Sequence, residues 1–380
     1  MYFGKEINLN QKIKNNKELI FFMPFIGGGG VEKNLFIISN FFSKKLKNIT
    51  ICTHSKKYKN KFNKNIKFLT PKTKLLKKCS LKTKYLFCLI ILFKFLLHKK
   101  NVVVFSFQAN IYCILLCKLL GIKIIVRSNS SPSGWYHNFI KKFFYKKIIS
   151  FANKVIVNSL EFKKQMDKRF NIDAHCIFNP LNIHEILKKS KYAKKDTFFI
   201  TKKKCLKLIN IGRFTDQKDQ ITILKAANLL KDKINFKLII AGRGVEEKKL
   251  KRYIKDHNLN HLVKIRNFLE NPYPVMKQSD FLILSSKYEG LPNVLLEGIV
   301  LNKLIISSDC PTGPKEILSK GKGGYLFKIG DYNELSNKII YYYKNKSKIN
   351  SMLKFSKKNI KRFDYDINLN KYYNLVKSFL

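Results

Sequence analysis

The chain predicts an α/β fold built from two Rossmann-like, doubly wound domains facing a central cleft, and three observations lead there. Short apolar runs of strand character alternate with helix-length segments from end to end, the pattern of parallel α/β layers. A polar, lysine-rich stretch near 184–204 divides them into two series. At 380 residues, 45% of them hydrophobic, the chain is long for a single core and apolar enough to fill two. The expected division is residues 1–190 and 200–362, with a terminal helix at about 363–380 packing back on the first domain.

In the first series "ELIFFMPF" (18–25) is a strand that runs into four glycines, Gly27 to Gly30, and then the helical pattern "VEKNLFIISNFFSKKL". "NITICTH", "VVVFSF" (102–107), "IKIIVRS" (122–128) and "KVIVNS" (154–159) are the next strands. The second series opens with "CLKLINIGRF" (205–214) and continues through "FKLIIAGRG" (236–244), "HLVKIRNF" (261–268), "SDFLILSS" (279–286) and "KLIISSD" (303–309). In such folds ligands bind beyond the carboxyl ends of the strands.

The most apolar run, "YLFCLIILFKFLL" (85–97), is interrupted by Lys94 and falls short of the roughly 20 residues a membrane span needs. It predicts a buried or membrane-touching helix. The N-terminal segment lacks the apolar centre of a signal peptide. Eight cysteines without a CxxC pair suggest a reducing compartment and neither a disulfide framework nor a zinc site.

Charge is extreme: 76 Lys+Arg against 24 Asp+Glu, net +52. Only seven of those cations are arginine, whereas phosphate-reading surfaces favour its bidentate fork. Together with the lack of any legible nucleic-acid module, this argues against a nucleic-acid partner and leaves two readings of the charge, a compositionally lysine-rich generic surface and attraction to an anionic membrane face.

Against that background two stretches stand out. In "INIGRFTDQKDQ" Gly212 ends a strand, Arg213 follows at once, and Lys218 precedes a helix. Two cations and a helix entry at a strand's carboxyl edge suit a diphosphate. In "SSKYEGLPNVLLEG" (285–298) Glu289 lies in the loop after a strand, Pro292 is expected to open a helix, and Glu297 is expected in its second turn. That places Glu297 about 7–8 Å along the axis from Pro292. Free amides from Gly290 to Val294 would favour an anion. The pair "FDYD" (363–366) has metal-ligand spacing, but it lies before a terminal helix, and no metal is expected.

"GRFTDQK" followed by "SSKYEGLPNVLLEG" resembles family-four retaining glycosyltransferases, the glycosyl transferases group 1 with the GT-B fold. "GGGGVEK", "RSNSSP" (127–132), "VIVNS", "IFNP", "AGRG" and "SSDCPTGPKEIL" (307–318) extend the resemblance over most of the chain. It is similar above all to bacterial hexose and N-acetylhexosamine transferases that build lipid-linked polysaccharides such as lipopolysaccharide. The resemblance implies a nucleoside-diphosphate sugar, UDP-linked, as co-substrate and no cofactor. Arg213 and Lys218 would neutralise the donor diphosphate, Glu297 would take the ribose hydroxyls, and Glu289 would lie beside the transferred sugar. Amides of Gly290 and Leu291 would meet phosphate or sugar oxygens, Gly212 would carry the loop, and Gly28, Gly29 and Gly30 would let the first domain approach the donor. On the acceptor side, the loop where many relatives carry a histidine holds Arg127, Ser128 and Asn129 here, with His137 the nearest histidine. Retention of configuration is likewise implied by the resemblance. The implied place of work is the cytoplasm, peripheral on the inner face of the membrane. A basic nucleic-acid-binding protein, or an epimerase or phosphorylase-like enzyme on the same fold, are the alternatives.

Overall fold

The computed structural model describes residues 17–72, 79–129, 139–192, 196–201 and 203–380. The first sheet holds β1 (Glu18–Phe22), β2 (Ile49–Cys52), β3 (Lys67–Leu69), β4 (Val102–Ser106), β5 (Lys123–Arg127), β6 (Lys154–Val157) and β7 (Ala174–Cys176). Their order is β3-β2-β1-β4-β5-β6-β7. The second holds β8 (Leu206–Ile211), β9 (Phe236–Ala241), β10 (Val263–Arg266), β11 (Phe281–Leu284), β12 (Leu304–Ser308) and β13 (Tyr325–Phe327), in the order β10-β9-β8-β11-β12-β13.

Both orders reverse direction once, between β1 and β4 and between β8 and β11. These are the topological switch points of doubly wound sheets, where the loops leaving two adjacent strands diverge and open a crevice. In the second sheet those loops are 212–219 and 285–292, the two stretches singled out by their motifs.

A parallel sheet buried on both faces needs apolar residues at successive positions. In β9, Leu238 and Ile240 pack into one hydrophobic layer with Leu208, Ile283 and Ile306, while Ile239 and Ala241 pack into the opposite layer with Leu282, Leu284 and Ile305. The helix Asn293–Val300 presents Leu295, Leu296 and Ile299 to that second layer. It lies so close that a Cβ on Gly298 would fall 2.6 Å from Leu282 Cδ2.

Chain contacts group the described residues into two compact units. One comprises residues up to Ser128, Ile140–Ile156 and Leu369–Leu380; the other comprises Val157–Asn368 with Asn129 and Phe139. The last helix, Tyr365–Lys377, contributes Tyr372 to the core of the first unit, where its hydroxyl accepts a 2.9 Å hydrogen bond from Arg127 Nε. Asp364 caps that helix by accepting from the Ile367 amide at 2.9 Å, so one carboxylate of "FDYD" has a local structural task.

Several boundaries differ from the sequence reading. β1 ends at Phe22 because Pro24 has no N–H to continue the ladder. The lysine-rich stretch includes the helix Ile183–Lys189. Pro292 precedes its helix as the N-cap (φ −71°, ψ 106°) and does not occupy the first turn; the helix begins at Asn293. β3, β7 and β13, three residues each, carry no apolar periodicity long enough to be read.

Candidate functional site

The 212–219 loop leaves β8 under tight backbone constraint. The Gly212 amide donates to the Ala241 carbonyl at 3.0 Å, and Phe214 donates to the Arg243 carbonyl at 2.9 Å. A Cβ on Gly242 would lie 1.9 Å from the Gly212 oxygen, and one on Gly244 would lie 2.2 Å from that of Phe214. The glycines of "AGRG" thus let the loop pass over the end of β9. Gln220 Nε2 holds the Arg213 carbonyl at 3.0 Å from the start of the next helix. The Arg213 side chain is exposed, and among the described residues no carboxylate lies within ion-pairing distance of it. It is a guanidinium on a fixed backbone with its five donors available.

The loop then turns through Asp216–Lys218 and a left-handed Asp219 (φ 46°) into the helix Gln220–Leu230. Hydrogen bonds lace it to the 285–292 loop. Ser285 Oγ donates to the carbonyls of Lys218 (2.9 Å) and Asp219 (2.8 Å), Gln217 Nε2 to that of Tyr288 (2.9 Å), and the Lys287 amide to that of Gln217 (2.8 Å). At their junction the Lys218 ammonium meets Glu289 Oε1 at 2.5 Å, with side chains 15% and 8% exposed. Ser286 Oγ donates to the same oxygen at 2.6 Å. Lys218 keeps two further N–H donors, and Glu289 Oε2 has no partner among the described residues.

Behind this pair, Thr312 Oγ1 donates to the Glu289 carbonyl, and the Glu289 amide reaches the Pro311 carbonyl at 3.3 Å. Thr312 (φ 64°) and Gly313 (φ 75°) both take left-handed backbone to pass beside Gly290. A Cβ on Gly313 would come within 2.0 Å of the Gly290 oxygen, and one on Gly290 within 2.1 Å of the Asn129 oxygen. Burial and the nearby Glu289 charge push the Cys310 thiol well above its usual range, so it remains protonated and inert.

The amides of Gly290 and Leu291 have no hydrogen-bond acceptor among the described residues. The Leu291 side chain is in the apolar layer, so only its backbone is available to a ligand. Its carbonyl accepts from Asn179 Nδ2 at 3.0 Å. Glu297 is buried on the following helix, where the Tyr273 hydroxyl donates to its Oε1 at 3.4 Å.

The structure therefore brings together Gly212, Arg213, Lys218, Glu289, Gly290 and Leu291 on two laced loops, with Glu297 on the helix that follows. Gly28, Gly29 and Gly30 belong to the first unit, at the carboxyl end of β1. There the Gly27 amide donates to Glu32 Oε1 at 3.2 Å, and a Cβ on Gly29 would fall 2.8 Å from Glu32 Oε2. Arg127 requires a correction. Expected on the acceptor side, it is 0% exposed, bonded to Tyr372 and stacked 5.5 Å from the Phe107 ring, so its guanidinium serves the core and offers no surface to a substrate. Ser128 is buried as well, and Asn129 is half-buried. His137 and the rest of "RSNSSP" lie outside the described residues. Ser286, Thr312, Gln217 and Tyr273 were not anticipated. Ser286 had one usable signal, its place at a strand end three residues before Glu289; Tyr273 had none, being 24 positions from Glu297.

Residues 193–362 match the family described as glycosyl transferases group 1. This segment is a glycosyl transferases group 1 domain. A Methanocaldococcus jannaschii protein described as an uncharacterized glycosyltransferase is 34% identical over 51% of this chain and 49% of its own. A Campylobacter jejuni N-acetylgalactosaminyltransferase, named for an N-acetylgalactosamine-N,N'-diacetylbacillosaminyl-diphospho-undecaprenol acceptor, is 26% identical over 62% of this chain and 68% of its own. The chain thus spans about half the length of the first relative and two thirds of the second. Among solved structures, Anabaena HepE in complex with UDP superposes with TM-score 0.75 at 15% identity, covering 95% of this chain and 100% of that one. The fold is GT-B, two parallel-sheet α/β domains, and the group 1 segment is the one that carries Arg213, Lys218, Glu289 and Glu297.

Proposed function

We propose that the protein is a hexosyl- or N-acetylhexosaminyltransferase that moves a sugar from a UDP-sugar to a lipid-linked or growing surface glycan, with retention of configuration. One observation carries the reading: a free guanidinium and a lysine–glutamate pair, fixed on two mutually hydrogen-bonded loops at the switch point of the second sheet.

In this reading the Arg213 guanidinium and the two remaining N–H groups of Lys218 hold the diphosphate, with the Gly290 and Leu291 amides on phosphate or sugar oxygens. Negative charge accumulates on the β-phosphate oxygen as its bond to the anomeric carbon breaks. Cations held in place beforehand stabilise that charge without reorganising. An acceptor hydroxyl forms the new bond to the same carbon, and its proton leaves with the departing phosphate. Glu289 Oε2 accepts from sugar hydroxyls, while Glu297 takes the ribose hydroxyls. The two basic side chains supply the charge that this leaving group requires. HepE was solved with UDP, which supports a uridine donor. The name of the Campylobacter relative, which includes diphospho-undecaprenol, supports a lipid-linked acceptor.

We also propose that the protein works from the cytoplasm on the anionic inner face of the membrane. Among the described residues no helix is long and apolar enough to cross a membrane. The helix Leu81–Leu97 buries Cys88, Leu92 and Leu96 but exposes Leu81, Leu86, Ile90 and Leu97, with exposed Lys82 and Lys94 on the same helix. Apolar side chains fringed by lysine fit a surface of acyl chains beneath anionic headgroups.

The test is a thermal-shift panel of nucleotide sugars, since a ligand of the native state raises apparent stability. It is followed by measuring UDP release against glycosylated product with the stabilising donor. Stabilisation by UDP-sugars and one-to-one product formation support the reading; indifference to every nucleotide sugar refutes it.

A further inference from the structure

Another cluster of polar side chains stands at the carboxyl edge of the first sheet, on either side of the turn that follows β1. β1 lies between β2 and β4, and a side chain from beyond each neighbour grips the Pro24–Phe25 peptide. From beyond β2, His54 Nδ1 lies 2.8 Å from the Pro24 carbonyl. From beyond β4, Gln108 Oε1 accepts from the Phe25 amide at 3.0 Å. These two bonds determine what each side chain has left. A carbonyl only accepts, so His54 Nδ1 carries the proton and Nε2 keeps a lone pair. The Gln108 oxygen is engaged, so its amide nitrogen is left with its donors. Neither Nε2 has a partner among the described residues, and both side chains are only half-buried.

The ring of His54 is held further by stacking on Phe25, centroids 5.4 Å apart and planes 21° from parallel. The Lys84 ammonium stands 5.6 Å from the centre of that phenyl ring. Burial holds the imidazole below the ordinary histidine value, with Lys84 adding to the effect and the Pro24 bond opposing it, so the ring is neutral at pH 7. The result is a fixed acceptor and a fixed donor flanking one turn, beside an aromatic surface. A hydroxyl both donates and accepts one hydrogen bond, and a sugar ring adds an apolar C–H face. The constellation matches that chemistry, and a phosphate would find no donor on His54.

We propose that Phe25, His54 and Gln108 seat a hydroxyl-bearing ring of the acceptor glycan, His54 Nε2 accepting and Gln108 Nε2 donating. This rests on the transferase reading above and adds the acceptor subsite, which the donor loops do not supply.

The experiment uses the full chain, the UDP-sugar selected by thermal shift, and p-nitrophenyl hexosides and N-acetylhexosaminides as acceptor probes. His54→Phe keeps the ring and its stacking but removes both nitrogens; Gln108→Met keeps the length but removes the donor. Each is expected to raise the acceptor KM at least tenfold while the UDP dissociation constant, measured by calorimetry, stays within twofold. His54→Asn, which restores an accepting group, is expected to recover part of the loss. Unchanged acceptor KM in folded His54→Phe and Gln108→Met overturns the subsite and leaves the transferase reading intact. UDP affinity falling in step with transfer also overturns it, because the residues would then act through the fold. A wild-type protein that neither binds UDP nor glycosylates any probe overturns the reading beneath it, and the subsite with it.

Discussion

The Lys218 ammonium and the Glu289 carboxylate meet at 2.5 Å across two loops that leave neighbouring strands of the second sheet. The contact ties the two loops together. A buried pair deprived of one partner leaves an uncompensated charge, a loss of about 3–5 kcal/mol. Lys218→Ala should therefore lower stability by about 3 kcal/mol in urea unfolding, and the Lys218→Ala/Glu289→Ala double variant should recover part of it. Additive losses would show that the contact carries no coupling.

Arg213 should behave in the opposite way. It is exposed and without an ion pair among the described residues, so Arg213→Ala should leave unfolding within about 0.5 kcal/mol of wild type. Turnover should nevertheless fall by about 2–4 kcal/mol of transition-state stabilisation, roughly thirty- to a thousandfold in kcat. Arg213→Lys should recover only part of the loss, because one ammonium does not reproduce a bidentate fork.

Glu297 is assigned to the ribose, which calls for a ligand-side test. Glu297→Ala should weaken UDP binding by about 1.5–3 kcal/mol, the range for a hydrogen bond to a charged group. The variant should also bind UDP and 2′,3′-dideoxy-UDP equally, whereas wild type prefers UDP. A preference preserved in the variant would move Glu297 away from the ribose.

Gly242 tests the backbone beneath the arginine. A methyl group there would fall 1.9 Å from the Gly212 oxygen, so Gly242→Ala must displace the loop that holds Arg213. Calorimetry should show UDP affinity falling by about tenfold or more, a loss of at least about 1.4 kcal/mol. Unchanged affinity would mean the loop shifts without consequence.

Most of this architecture could be read from the chain. Continuous apolar runs such as "KLIISSD" identify strands buried on both faces, and glycine at the strand end and lysine before the helix marked the loop that carries Arg213 and Lys218. Three things could not be read. Strands of three residues, β3, β7 and β13, are too short to show a pattern. The burial of Arg127 depends on Tyr372, 245 positions away, which no local rule reveals. The pairing of Lys218 with Glu289 is a consequence of strand order, because β8 and β11 become neighbours only when the sheet folds back at its switch point.

The apolar face of Leu81–Leu97 predicts composition-dependent membrane binding. The protein should float with vesicles containing phosphatidylglycerol and less so with pure phosphatidylcholine, an attraction weakened by salt. Leu86→Ser/Ile90→Ser, both at exposed positions, should reduce flotation without changing UDP affinity. Equal binding to both vesicle types would remove the electrostatic part of the account.

The most direct test of the central claim is a crystal structure of the protein with UDP. The account predicts the two phosphates within hydrogen-bonding distance of Arg213 and Lys218, with the ribose hydroxyls at Glu297. Nucleotide bound elsewhere, with these side chains arranged as they are without it, would contradict the account.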